Sequence, residues 1–315
     1  MKRLIYVSLM ISVLCLLLIG CQDNTKHDIT SNDNSTGAVG SSIDETKNIY
    51  FTAEMSIDRW DSANMENSAF QSRDEFNSEV KYYIEAISKF LSRENWFDVY
   101  KKKHGNNYIC HIDYRLTYGA SHVENGYLAY ATLIPNVYLN KDFFEHDLAP
   151  IAHETTHIIV PFYSSLSLRE GLASYCQDKF GKNPSVFNWG LDVHAYANFY
   201  LVYAKDEFDK VFPVIGSTDK LQKVYAEGNL RELFYNLSHS FTKYLIDNFG
   251  IESFMKLYES DDLINDYSVV YGKSFESIKE EWYESLESYS EALTAEEIQN
   301  NMINLFTEHN YPINQ

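Results

Sequence analysis

Two histidines four positions apart constrain this chain more than any other feature. In His153-Glu154-Thr155-Thr156-His157 the spacing matches one turn of α-helix, so both imidazoles stand on one face and can reach a single metal ion. The flanks predict the helix. Asp147 is read as its N-cap, Pro150 falls in the first turn, where a missing N–H is tolerated, and Pro161 cannot extend it. A helix of about twelve residues is expected. Glu154 projects roughly 100° away from His153, near such an ion without having to be a ligand. In a hydrolytic zinc site a carboxylate so placed takes a proton from water, whose pKa the metal lowers to about 7.

A catalytic zinc site needs a third protein ligand and an open fourth position. The candidate is Glu170, twelve intervening residues beyond His157, in Ser167-Leu168-Arg169-Glu170-Gly171-Leu172-Ala173-Ser174-Tyr175. This run reads as a second helix ending near Gly181, with small residues where two helices can approach closely. Two alternatives stay open. Ser167 and Glu170 also have capping-box spacing, which would commit Glu170 to a helix start. Glu145 or Asp147 could instead supply the third ligand.

HExxH followed by a helix bearing Glu-Gly-x-Ala-x-Tyr resembles the gluzincin metallopeptidases, the clan that includes thermolysin and a group of zinc aminopeptidases. The resemblance implies one Zn2+ held by His153, His157 and Glu170, with Glu154 as general base. Further on, the stretch from Tyr235 through His239 to Tyr244-Leu245 is similar to a family helix whose tyrosine donates a hydrogen bond to the oxyanion. Tyr235 is the first choice for that donor and His239, one turn later, the reserve. Asn248-Phe249-Gly250, Tyr271-Gly272 with Phe275, and Glu281-Trp282 resemble the helical C-terminal half of small bacterial peptidase-MA-like domains. Two departures stand out. The gap to Glu170 is short for the family, and Ser174 stands where the thermolysin branch has an aspartate that orients a histidine. Val123-Glu124-Asn125 faintly resembles the aminopeptidase motif Gly-x-Met-Glu-Asn, whose glutamate holds a free α-amino group. An Asn125-Gly126 turn between strands explains the same residues without function.

At the start of the chain, Lys2 and Arg3 precede an apolar run from Leu4 to Ile19, and Leu18-Ile19-Gly20-Cys21 resembles the bacterial lipoprotein box. Residues 1–20 are therefore expected to be a signal peptide, with Cys21 acylated. Two acyl chains anchor stably where one is marginal. Residues 21–47, dominated by Asn, Asp, Ser, Thr and Gly, read as a disordered tether holding a domain off the membrane. The formal charge is -19, and loss of Lys2 and Arg3 with the signal peptide, which carries no acid, leaves -21. So acidic a chain argues against nucleic acid and against docking on anionic lipid, and leaves the lipid anchor as the membrane attachment. Of the four cysteines, Cys15 leaves with the signal peptide and Cys21 is modified. Cys110 and Cys176 then either pair, as an exported setting permits, or remain two buried thiols.

The expected fold is α+β in two lobes, thermolysin-like by the resemblance: an α/β lobe over residues 48–181 carrying the HExxH and Glu170 helices, and a helical lobe over 182–315. Strands are predicted at Ile49–Met55, Tyr108–Tyr118 and Tyr127–Leu139. One helix is predicted from Glu75 to Lys103 through Val80, Tyr83, Ile84, Ile87, Phe90 and Leu91. Tyr127–Thr132 is placed at a sheet edge, where an extended peptide would pair. Later helices are predicted over Val193–Phe212, Asp219–Glu227, Leu230–Phe249, Ile251–Glu259 and Phe275–Leu293, and from Ala295 behind a Thr294/Glu297 capping box. There is no phosphate-binding loop and no Gly-x-Ser-x-Gly elbow. The function expected is a membrane-anchored extracytoplasmic zinc metallopeptidase acting on peptides or proteins, endo- or aminopeptidase undecided. The alternative is a non-catalytic substrate- or partner-binding lipoprotein that keeps the fold.

Overall fold

The computed structural model describes residues 50–312 except 106, 120, 125–134, 186, 219–227 and 290–292. The expected signal peptide, Cys21, the tether, the edge segment Tyr127–Thr132 and the helix at 219–227 lie outside the described residues. Four strands, Phe51–Met55 (β1), Cys110–Thr117 (β2), His122–Glu124 (β3) and Asn136–Asn140 (β4), make one sheet in the order β1-β2-β4-β3. β1, β2 and β4 run parallel, and β3 runs antiparallel to β4. Along β2 the two-residue period buries Cys110, Ile112 and Tyr114 and leaves the residues between them partly exposed.

The crossover from β1 to β2 contains Ile57–Asp61 (α1), Arg73–Phe90 (α2) and Asp98–His104 (α3). α2 is capped by Ser72, which accepts the Glu75 N–H, and buries Phe76, Val80, Tyr83, Ile84 and Ile87 along one stripe. The sequence predicts a single helix through Lys103, and the structure ends it at Phe90. Ser92 adopts a φ of 53°; its N–H bonds to Lys89 O at 3.1 Å while the Arg93 N–H bonds to Ser88 O at 2.7 Å. These are the paired contacts of a Schellman cap, and with serine in place of the usual glycine the sequence carries no stop signal there.

After β4 come Lys141–Glu145 (α4), Ile151–Ile159 (α5) and Leu166–Phe180 (α6), then Val193–Tyr203 (α7), Lys205–Val211 (α8) and Gly228–Phe249 (α9). Ile251–Tyr258 (α10), Leu263–Tyr271 (α11), Phe275–Glu287 (α12) and Ala295–Glu308 (α13) complete a mixed α/β, mostly helical fold. The helix predicted over Val193–Phe212 is two helices divided at Ala204, and α12 stops at Glu287 instead of Leu293. The Thr294/Glu297 capping box is present, each residue bonding to the other's backbone N–H.

α6 packs between α5 and α9. A Cβ on Gly171 would lie 2.2 Å from Thr242 Oγ1 and 2.3 Å from Ser238 O, so α9 crosses α6 at a distance that only glycine permits. The small residue at that point serves close helix approach, as the sequence suggests. Cys110 and Cys176 are both free and buried.

Glu232, buried on α9, accepts the Tyr196 hydroxyl at 2.6 Å. Burial pushes its pKa from an ordinary 4.5 to about 7, against the Tyr196 hydrogen bond. A folded-state value above the unfolded one means stability is full below about pH 4.5 and falls as pH rises to about 7, by about 3 kcal/mol. Glu232→Gln keeps an acceptor for Tyr196 without the charge. It is expected to raise the thermal unfolding midpoint at about pH 8 and to change it much less at about pH 5. Midpoints followed across pH check this, and equal shifts at both ends would contradict it.

Candidate metal centre

Helix α5 is anchored at both ends and along its sides. Tyr114 of β2 donates to Thr155 Oγ1 at 2.8 Å, and Gln177 Oε1 of α6 accepts the His153 N–H at 3.0 Å. Thr155 and Thr156 donate back to Ile151 O and Ala152 O, so the residues between the histidines are buried with their hydroxyls satisfied. At the C-terminal end Tyr100 donates to Ile158 O and Tyr258 to Val160 O, supplying carbonyls that the helix leaves open before Pro161.

Asp147 is not the N-cap. The helix begins at Ile151 behind Pro150 and is nine residues long. Asp147, with a φ of 56°, instead accepts from the Ser68 hydroxyl and the Ala69 N–H, and its carbonyl accepts from the Asn183 amide. Glu145 is paired with Lys141. Neither acid joins the histidines; among the described residues the group able to hold a metal is His153, His157 and Glu170.

In that group His153 Nε2 and His157 Nε2 are 3.2 Å apart, and Glu170 Oε2 lies 3.3 Å from the first and 3.5 Å from the second. Ligands at about 2.0–2.1 Å in a tetrahedron stand about 3.3–3.4 Å from one another. The three atoms therefore outline one face of a tetrahedron of zinc size. All three side chains are buried. Burial, reinforced by the Arg169 charge, drives the His157 pKa down to about 3, so its ring is neutral. Burial pushes the Glu170 carboxyl up, but Arg169 and then His157 outweigh it and hold it well below the usual range. A neutral imidazole and an ionised carboxylate are the forms that bind metal. The donor set and its spacing fit a zinc ion.

The capping alternative for Glu170 is overturned. α6 starts at Leu166 with Ser165 as N-cap; Ser167 accepts the Gly216 N–H at 2.7 Å, and Glu170 faces the histidines. Ser174 Oγ lies 3.5 Å from His153 Nδ1, from where it can orient that ring in place of the aspartate that the resemblance leads one to expect. His157 Nδ1 is buried and finds no hydrogen-bond partner among the described residues.

Glu154, 5% exposed, sits on the sheet side of α5, where its charge adds to burial in raising the Tyr114 hydroxyl. The ring of Tyr235, on α9, has its centroid 6.1 Å from that of His153 and stacks on Phe187 at 4.0 Å. His239 lies farther along α9, its ring edge-on to Tyr175 and its Nδ1 3.9 Å from Asp178 Oδ2. Burial, then the neighbouring His194, lowers its pKa to about 3. Glu124 ends β3, opposite Asn136, and α5 touches β3. The Asn125-Gly126 pair lies outside the described residues.

Arg169 is a participant that sequence reasoning missed. Its Nη1 lies 2.5 Å from Glu170 Oε1, and its guanidinium covers the Tyr163 ring at 5.3 Å. Neighbouring helix positions point about 100° apart, so adjacency to a ligand does not by itself predict contact with it. None of the protein-family models, curated proteins or solved structures compared with this chain matches it.

Proposed function

We propose that this chain is a zinc-dependent metallopeptidase of the gluzincin type, carried on the outer face of a bacterial membrane by acylated Cys21. The observation that carries the proposal is the tetrahedral face made by His153, His157 and Glu170, with Glu154 buried on the same helix, next in sequence to His153. A Zn2+ bound there would polarise a peptide carbonyl and acidify water. Glu154 accepts the proton of the attacking water and returns it to the leaving amine. Tyr235, beside His153, donates its hydroxyl hydrogen to the carbonyl oxygen as negative charge develops; His239, lodged against Asp178 and Tyr175, is the less well placed donor. β3, the outermost strand of the sheet among the described residues, touches the metal helix and would offer backbone groups to an extended peptide, independent of side-chain identity.

The thermolysin-like division into two lobes belongs to the same reading, with the sheet and α2 on one side of α5 and the helices around α6 and α9 on the other. A binding lipoprotein that had merely kept the fold would have no use for a buried acid between two ligands. The test is to incubate the zinc-supplied protein with a diverse peptide library and read the products by mass spectrometry. Cleavage that stops with a chelator and returns with zinc is expected. Products lacking only their first residue would assign Glu124 to the substrate amine. Absence of any zinc-dependent product would favour the binding lipoprotein.

A further inference from the structure

We propose that Arg169 is a positioning residue of the metal centre: by holding Oε1 of Glu170 it limits that ligand to one oxygen and keeps a coordination position open. The inference rests on the metal-dependent reading above and extends it to a residue outside the HExxH and Glu170 pattern.

The two oxygens of Glu170 are divided between two tasks. Oε2 faces both histidines at 3.3 and 3.5 Å, while Oε1 accepts from Arg169 Nη1 at 2.5 Å. A carboxylate free at both oxygens can bind an ion through one or both. Here, swinging Oε1 onto the ion would break a charge-assisted hydrogen bond, the stronger kind. The guanidinium is itself restrained. Its central carbon lies over the Tyr163 ring, 5.3 Å from the centroid, and the side chain is 23% exposed, so it is seated at the edge of the site and not free in solvent. An arginine suits this task because its planar fork is rigid where an ammonium would swivel.

A site of three protein atoms with Glu170 held to one of them leaves room for water and a substrate carbonyl. With Glu170 bidentate, that room would be taken by Oε1 and the ion would be closer to five-coordinate.

The test uses the full-length protein loaded with Co2+, whose visible absorption is strong in four-coordinate and weak in five-coordinate sites. The unaltered protein is expected to give the strong spectrum. Arg169→Gln is expected to weaken it and to reduce zinc affinity by about 10- to 100-fold in competition with a chelating dye. Circular dichroism establishes that the variant is folded. Should it not fold, Tyr163→Leu, a change at a 38% exposed ring, removes the platform under the guanidinium and should shift the spectrum in the same direction by a smaller amount. A folded variant with an unchanged cobalt spectrum would overturn the role of Arg169 while leaving the metal centre standing. Failure of the unaltered protein to bind cobalt or zinc would overturn the metal-dependent reading and this inference together.

Discussion

Glu154→Gln is expected to lower kcat/KM for any peptide found to be cleaved by about a hundred- to ten-thousand-fold, with zinc still bound at one ion per chain. Glutamine has the shape of glutamate and retains an oxygen, but it cannot take a proton from water. Glu154 is 5% exposed, so bulk water is poorly placed to substitute as base. The group able to hold a metal is His153, His157 and Glu170, so the exchange leaves that set intact. Kinetics together with metal analysis of both proteins separate the two properties. Loss of cleavage with retained zinc is the signature of a general base. Loss of both would show that Glu154 supports the site instead, and full retention of cleavage would remove Glu154 from the chemistry.

Gly171→Ala is expected to cost about 3 kcal/mol of stability and to lower the thermal midpoint by about 6–12 °C. The added methyl would stand 2.2 Å from Thr242 Oγ1 and 2.3 Å from Ser238 O. The first contact involves a side chain. The second is backbone inside α9, which cannot yield without moving the helix. Thr242→Ala added to Gly171→Ala should therefore recover only part of the loss. Full recovery in the double variant would mean that the threonine alone sets the spacing, and an unchanged midpoint in the single variant would refute the close crossing. Because Gly171 follows Glu170, displacement of α9 against α6 should also weaken zinc binding, which the same dye competition measures.

The parts of this protein that could be read from its sequence are those governed by short-range geometry. The five residues from His153 to His157 place two imidazoles on one helical face because the α-helix turns about 100° per residue, whatever surrounds it. The buried stripe of α2, the alternation in β2 and the Thr294/Glu297 cap follow from equally local periods. Local reasoning failed where a rare residue did an ordinary job. Ser92 closes α2 in a left-handed conformation usually given to glycine, and Ala204 divides α7 from α8 with no glycine or proline to mark it. Asp147 has the chemistry of an N-cap, and its carboxylate is used by Ser68 and Ala69, residues far away along the chain.

The third ligand shows the division most clearly. From sequence alone, Glu170 fits both a metal site and a capping box, because spacing along one helix cannot say what lies across from it. The choice is made by tertiary contacts. Gln177 ties α6 to the His153 backbone, Gly171 lets α9 close against α6, and Glu170 Oε2 is brought to within 3.5 Å of both imidazoles. The placement of Ser174 against His153 and the grip of Arg169 on Glu170 Oε1 arise from the same packing. The chain's own sequence thus determined which residue types could hold a metal and which acid stood next to them. Only the packed structure decided which acid completes the set, because convergence of side chains from separate helices depends on how those helices cross.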